Sequence, residues 1–352
     1  MRLLNSKTLE LVDFPGDVSV KYAILSHTWG KEEVLFQDIQ KLGSNHKEND
    51  SFRIQSTAGY AKIRHCAQQA QMDGLEYIWV DTCCIDKSSN AELQEAINSM
   101  YRWYNKSEIC YAYLSDVNPG DNPHREESAF RRCRWFTRGW TLQELLAPNN
   151  VLFFDREWNM LGSKRELAPL IQEITGIRTL YLLGISPNKA SIAERMSWAS
   201  HRSTTRVEDI AYCLLGIFDL SMPMLYGEGE KAFEHLQEKI MKEADDASIL
   251  AWGYPGPSQF GLPGYSSNEG LLARNPNSFG RCGNVKPLMF IPISNSFAMT
   301  QRGMVMTLPI RTDPNHENLI YGILNCGFRK RHRTNSHRTT INISAPKLRI
   351  PI

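Results

Sequence analysis

The stretch RGWTLQELLAP, residues 138–148, sets a single carboxylate, Glu144, into an otherwise apolar, helix-like run that Pro148 stops. Two uses of that carboxylate are open. Thr141-x-x-Glu144 fits a capping box, in which the glutamate bonds the N-cap amide, but a helix begun there lasts barely two turns. With Thr137 as the N-cap the helix is longer, and Trp140 and Glu144 share a face four residues apart. On that second reading Glu144 is free for chemistry. A carboxylate partly buried beside Trp140 acts through a lower dielectric, its pKa is expected to rise, and it can stabilise a developing cation or orient a water.

Further polar residues fall where strands end. "YAILS" (22–26) reads as a buried strand running into the turn "HTWG", and "LEYIWV" (75–80) as a strand running into "DTCCIDK". Ser26, His27 and Trp29 come from the first cluster, and Asp81 and Asp86 from the second. Trp29 and His27 are candidates for stacking on a planar ring, or for covering a sheet edge. Asp81 is a candidate for bonding a ligand's hydroxyls or positioning a lid, and equally for forming a turn or capping a helix. Asp86 has the same reading beside a stronger one as a turn and cap residue, since a helix begins just beyond it. Arg138 could grip a phosphate with its forked donors, or serve a surface salt bridge.

These clusters need a sheet to gather them. "CYAYL" (110–114) and "VLFF" (151–154) are further strands. Between the strands lie helical patterns: one from Tyr60 with Ile63, Ala67 and Ala70 apolar and Gly74 as C-cap. Another opens on the Ser89–Glu92 capping box with a Leu93, Ile97, Met100 and Tyr104 stripe. A third opens on Ser163–Glu166. The segment 41–57 reads as a polar surface excursion. Alternating strands and helices imply right-handed crossovers and a mostly parallel sheet, whose ligands sit beyond the strands' carboxyl ends. Residues 186–246 read as mostly helical, with "RVEDIAYCLLGIF" and a helix carrying Phe233, Leu236, Ile240 and Ala244 on one face. After Trp252 short apolar runs alternate with turn signals, as in a small antiparallel β unit. The basic run 329–338 reads as a solvated loop between strands.

Composition narrows the function classes. With 40 Lys and Arg against 38 Asp and Glu, charge gives no argument for nucleic acid or an anionic membrane. No window approaches a membrane span and the start has no signal-peptide stretch, so a cytoplasmic protein is expected. The eight cysteines form no C-x-x-C pair and read as buried thiols, with no metal expected. Neither a Walker A loop nor a G-x-G-x-x-G fingerprint is present.

Five blocks in order resemble the fungal HET (heterokaryon incompatibility) domain: "YAILSHTWG" (22–30), "YIWVDTCCIDK" (77–87), "INSMYRWYNKSEICYAYLSDV" (97–117), "RWFTRGWTLQELLAP" (134–148) and "FFDREW" (153–158). "RVEDIAYCLLGIFDLSMPMLYGEGEKAFEHLQEKIMKEADDASILAW" is similar to the helical region that commonly follows it. HET domains in turn resemble TIR domains, whose first-strand block is like Tyr22–Ser26. Their Trp and Cys-Leu-x-Glu-Leu segment is like Trp140 to Leu145, with Thr141 in place of the cysteine. In TIR enzymes that glutamate cleaves the nicotinamide–ribose bond of NAD, and here it falls on Glu144.

The resemblance therefore implies a TIR-like, flavodoxin-like α/β domain over 1–180 (core blocks 22–158). A helical region follows over 181–252 and a β-rich region over 253–352. It implies an incompatibility effector that promotes nonself-triggered cell death, with NAD as substrate and no bound cofactor, switched on by self-association or by a partner protein. Two other readings stand beside it: a non-catalytic interaction module, and a regulator associated with a metabolic gene cluster.

Overall fold

The structure is a computed structural model and describes residues 1–15, 19–43, 48–253, 271–288, 298–300, 303–313, 316–331, 341–344 and 347–351. The chain forms two compact units, one of Met1–Ile185 with Ser221–Met224, the other of Ser186–Leu220 with Leu225–Ile352.

The first unit is built on seven strands: β1 (Arg2–Asn5), β2 (Leu11–Asp13), β3 (Tyr22–His27), β4 (Tyr77–Trp79), β5 (Ile109–Tyr113), β6 (Val151–Phe154) and β7 (Met160–Ser163). They lie in the order β2-β1-β4-β3-β5-β6-β7. The inner pairs β4–β3, β3–β5 and β5–β6 are parallel, and β1, β2 and β7 are antiparallel margins. The expected α/β fold with a mostly parallel sheet is thus what the chain adopts. Every residue of β3 is buried, as an inner strand covered on both faces requires. The margins were invisible to pattern reading because they are three or four residues long and only partly buried.

Helices cover the sheet: α1 (Phe36–Gly43), α2 (Glu48–Gln55), α3 (Ala58–Met72), α4 (Asn90–Lys106), α5 (Ala129–Arg132), α6 (Thr141–Leu146), α7 (Ala168–Thr175) and α8 (Thr179–Leu182). Helix α2 falls inside the segment expected to be a plain surface excursion. Helix α3 starts on Thr57, whose hydroxyl accepts from the Tyr60 amide, and ends before Gly74 at φ 75°, a left-handed position suited to glycine. Helix α4 starts on Ser89 as expected, but its Glu92 carboxylate accepts from the Asp86 amide. At Ser163 and Glu166 the reciprocal bonds are made, Ser163 amide to Glu166 carboxylate at 2.8 Å and Glu166 amide to Ser163 hydroxyl at 3.2 Å, but they close a turn and do not open the expected helix, since α7 begins only at Ala168 with no side-chain cap.

Counting the parallel strands alone, the order is second, first, third, fourth, so the crossovers leave β3 in opposite directions. The switch point lies at the carboxyl ends of β3 and β5, where open sheets of this kind bind ligands.

In the second unit, helices α9 (Ile192–Ser197), α10 (Asp209–Tyr212), α11 (Leu215–Phe218) and α12 (Lys231–Glu243) are followed by strands β8 (Val285–Pro287), β9 (Ala298–Thr300), β10 (Gly303–Val305), β11 (Ile310–Asp313), β12 (His316–Ile323), β13 (Cys326–Arg331), β14 (Ile341–Ser344) and β15 (Lys347–Pro351). These pair antiparallel as β10-β9, β11-β12-β15 and β14-β13-β8. The single helix expected over 206–218 is two one-turn pieces, and Ala244 lies past the end of α12 in extended backbone. Glu208, just ahead of α10, instead accepts the Gly227 and Gly229 amides at 2.8 and 3.1 Å, pinning the following loop. Of the basic run 329–338, residues 329–331 belong to β13 and 332–338 lie outside the described residues.

Candidate functional site

Helix α6 is short and wholly buried, and all six of its residues are core. It does not start at Thr137. Residues Arg134–Thr137 form a separate 3-10 turn, and Arg138 is extended (ψ 142°), which breaks any helix running through from Thr137. Thr141 lies inside α6 with its hydroxyl donating to the Arg138 carbonyl at 2.9 Å and also to that of Trp135. No side chain caps the helix's first residue. The long-helix reading therefore fails, and the Thr141 hydroxyl caps nothing in α6.

What holds Glu144 is a residue outside its own helix. Ser26, on β3, donates its hydroxyl to Glu144 Oε2. The same hydroxyl oxygen accepts the Trp135 Nε1–H at 2.8 Å. Ser26 is fully buried and Glu144 only 7 % exposed. A relay therefore runs from indole N–H to hydroxyl to carboxylate, beside the switch point. Tyr104, from α4, adds a phenol that donates to the Leu25 carbonyl at 3.0 Å. Burial, with the Glu144 charge beside it, pushes the Tyr104 pKa well above the usual phenol range. This phenol therefore stays neutral and serves as a donor.

The next residue along β3 points to the opposite face of the sheet. His27 sits there between two carboxylates, its Nε2 3.7 Å from Glu33 and its Nδ1 3.8 Å from Asp81. Both ring nitrogens are buried without a hydrogen-bond partner among the described residues. Glu33 in turn takes the Lys62 ammonium at 2.7 Å and the Gly30 amide at 2.7 Å. Burial works against the charged form of Glu33, yet His27, Lys62 and that amide together hold its carboxyl well below the usual range.

Asp81 also accepts the Trp29 Nε1–H at 2.8 Å, and Lys87 lies 3.6 Å over the Trp29 ring. Trp29 is 48 % exposed, so its indole forms part of the rim. Arg134 donates to the Trp29 carbonyl at 2.9 Å while its own amide is held by Asp116 at 2.7 Å.

Of the residues singled out in the sequence, Ser26 thus meets Glu144, while His27 and Trp29 meet Asp81. Asp86 stands apart, accepting from Gln37 and from the Ser88 amide and hydroxyl. That is the turn role the sequence also offered it. Arg138 and Trp140 are half-buried beside α6. It is Trp135, not Trp140, whose indole reaches the carboxylate's partner, and Arg134, not Arg138, that braces the rim.

Sequence reading missed Trp135, Tyr104, Glu33, Lys62 and Lys87. Trp135, Tyr104 and Lys87 stand inside the quoted blocks, which was the one signal available, whereas Glu33 and Lys62 had none. All eight cysteines are free and buried, and burial pushes the Cys133 thiol up to about 12, which leaves it protonated. Among the described residues no group of three or more His, Cys, Asp or Glu is placed to hold a metal. Nor is any helix among them long and apolar enough to cross a membrane.

The first unit is thus an α/β domain of flavodoxin-type strand order with a buried carboxylate at its switch point. Residues 22–128 match the family described as Heterokaryon incompatibility protein (HET), and the chain is a HET-domain protein. It is 49% identical over 238 residues to the vegetative incompatibility protein HET-E-1 of Podospora anserina. The match covers 66% of this chain but only 17% of that protein. No solved structure matches the chain.

Proposed function

We propose that this chain is an effector of heterokaryon (vegetative) incompatibility, acting in the fungal cytoplasm to promote nonself-triggered cell death. We propose further that its first unit acts by TIR-like cleavage of NAD with Glu144 as the catalytic carboxylate. The observation that carries this reading is the Ser26–Glu144 contact, which fixes a nearly buried carboxylate beside the switch point of a parallel sheet. The name of the Podospora relative supports the biological half.

In the proposed reaction the bond between ribose C1′ and the nicotinamide nitrogen breaks, and its electron pair stays on the nitrogen. Nicotinamide leaves neutral, so no strong acid is needed. Glu144 stabilises the cation left on the ribose and orients the water that attacks C1′, whose proton passes to solvent. Ser26 and Trp135 fix the carboxylate's direction, while Asp81, which meets His27 off the opposite face of β3, and its partner Trp29 reach the ribose over that strand's carboxyl end. Self-association, or a partner protein acting as trigger, switches the site on.

The test is chemical. The purified chain, alone and after enforced clustering through a fused dimerisation tag, is incubated with NAD, and nicotinamide is followed by chromatography. Release by wild type with loss in Glu144→Gln supports the reading. Clustered wild type that leaves NAD intact, in a chain that still kills when expressed, refutes the enzymatic half and favours the non-catalytic module.

A further inference from the structure

Helix α6 presents a problem that its own residues do not solve. It is six residues long, and an isolated helix of that length is far from stable in water. Its last carbonyls are buried and need donors from elsewhere. Helix packing alone would not supply them.

They come from three side chains, the first being the Cys110 thiol on β5, which donates to the Glu144 carbonyl at 4.0 Å. Asn105, at the end of α4, donates to the Ala147 carbonyl at 2.9 Å. Lys164 donates through its ammonium to the Leu145 carbonyl at 3.1 Å and to that of Pro148. The lysine is 3 % exposed, a rare setting for an ammonium group, and the thiol of Cys110 on β5 lies nearby. A cation at the carboxyl end of a helix is also favoured by the helix dipole.

The topology explains how Lys164 arrives. Strand β6 begins three residues after Pro148, and β7 runs back antiparallel along β6. The residue that follows β7 therefore returns to the point where α6 ended, and the Lys164 amide bonds the Val151 carbonyl at 2.8 Å. The antiparallel margin strand is the device that delivers a buried cation to the carboxyl end of the helix bearing Glu144.

We propose that Lys164 is a positioning residue for Glu144: its ammonium clamps the carboxyl end of α6 and so fixes the carboxylate against Ser26. This rests on the proposed catalytic role of Glu144 for its kinetic consequence, but its structural consequence stands alone. At neutral pH the clamp carries a full charge where none is otherwise needed for the fold's core.

The test uses the full chain with Lys164→Met and Lys164→Gln, read by hydrogen exchange of residues 141–147 against residues 90–104 of α4, and by NAD cleavage. The proposal expects the amides of α6 to exchange at least about tenfold faster in Lys164→Met while those of α4 keep their protection. Where cleavage is measurable, kcat falls about tenfold or more with KM altered less than twofold, because the carboxylate is misdirected while binding groups stay in place. Lys164→Gln, which keeps an N–H donor, recovers part of both losses. Equal protection of α6 in wild type and Lys164→Met overturns the proposal whatever the enzyme does. Faster exchange in α6 with wild type inert on NAD leaves the clamp standing and refutes the catalytic reading instead. Should Lys164→Met fail to fold, the wild type decides. Amine labelling of Lys164 must then be no faster than the opening of α6, and labelling at the rate of an exposed lysine while α6 remains protected overturns the clamp.

Discussion

Ser26→Ala removes one oxygen and should disturb two partners at once. The hydroxyl's bond to the Glu144 carboxylate is a charged one, worth about 1.5–3 kcal/mol net. Its loss also strands the buried Trp135 indole N–H, at about 1–3 kcal/mol for an unmade bond. Ser26 is fully buried, so water cannot replace the missing group without a cavity large enough to admit it. The two costs overlap because they share an atom, and about 3–4 kcal/mol is the expected total. For a unit of this size that corresponds to a melting temperature lower by about 6–16 °C.

Urea unfolding followed by tryptophan fluorescence reads the change as a lower midpoint with an unchanged slope. A cycle with Trp135→Phe should show coupling of about 1 kcal/mol or more, since each single change removes one partner of the same hydrogen bond. Glu144→Gln, which keeps an oxygen to accept from Ser26, should cost less than Ser26→Ala. A loss below about 0.5 kcal/mol for Ser26→Ala, the range of unremarkable surface changes, would refute the relay.

Four further outcomes follow from the same structure. Lys62→Met leaves the Glu33 carboxylate buried without its cation and should cost about 3–5 kcal/mol in the same urea assay, with the Lys62→Met, Glu33→Met double variant regaining most of it. Because the Glu33 pKa is depressed in the folded chain, its contribution is present above the ordinary carboxylate range and lost as pH falls below it; acid titration of Glu33→Gln should therefore show a shallower acid limb than wild type. Gly59→Ala places a Cβ 2.2 Å from the Glu32 carbonyl, a backbone atom that cannot swing aside, and calorimetry should show a loss of about 1–3 kcal/mol. Burial lowers the Lys164 pKa from 10.5 to about 8, so between those values the unfolded chain binds a proton that the folded chain sheds. Wild-type stability relative to Lys164→Met should accordingly rise with pH across that window, by about 3 kcal/mol in all, in pH-resolved urea titrations.

The parallel strands were legible because full burial writes itself as unbroken apolar runs: β3, β5 and β6 stand close to where those runs lie. Strand β4 is shorter than its run, since Val80 already begins the turn that carries Cys83 and Cys84. The margins escaped, since three or four half-buried residues leave no period to count. Around Glu144 the limit was of another kind. The spacing argument for Trp140 assumed one helix from Thr137 onward, whereas the backbone turns out at Arg138 and enters α6 afresh. That break is what frees Trp135 to face Ser26, a contact between residues 109 positions apart that no local pattern encodes. Lys164 was hidden more thoroughly, because a lysine in the polar stretch after Ser163 carries no local mark of burial. Only the pairing of β7 with β6 turns it inward.

The central claim is that Glu144 does chemistry and not merely architecture. The most direct measurement is cellular NAD and viability after induced expression of wild type and of Glu144→Gln, with both chains shown to accumulate equally. The account predicts that wild type drains NAD before viability falls, and that the variant, folded and equally abundant, leaves both unchanged. A variant that kills as wild type does, with NAD undiminished in either, would contradict it.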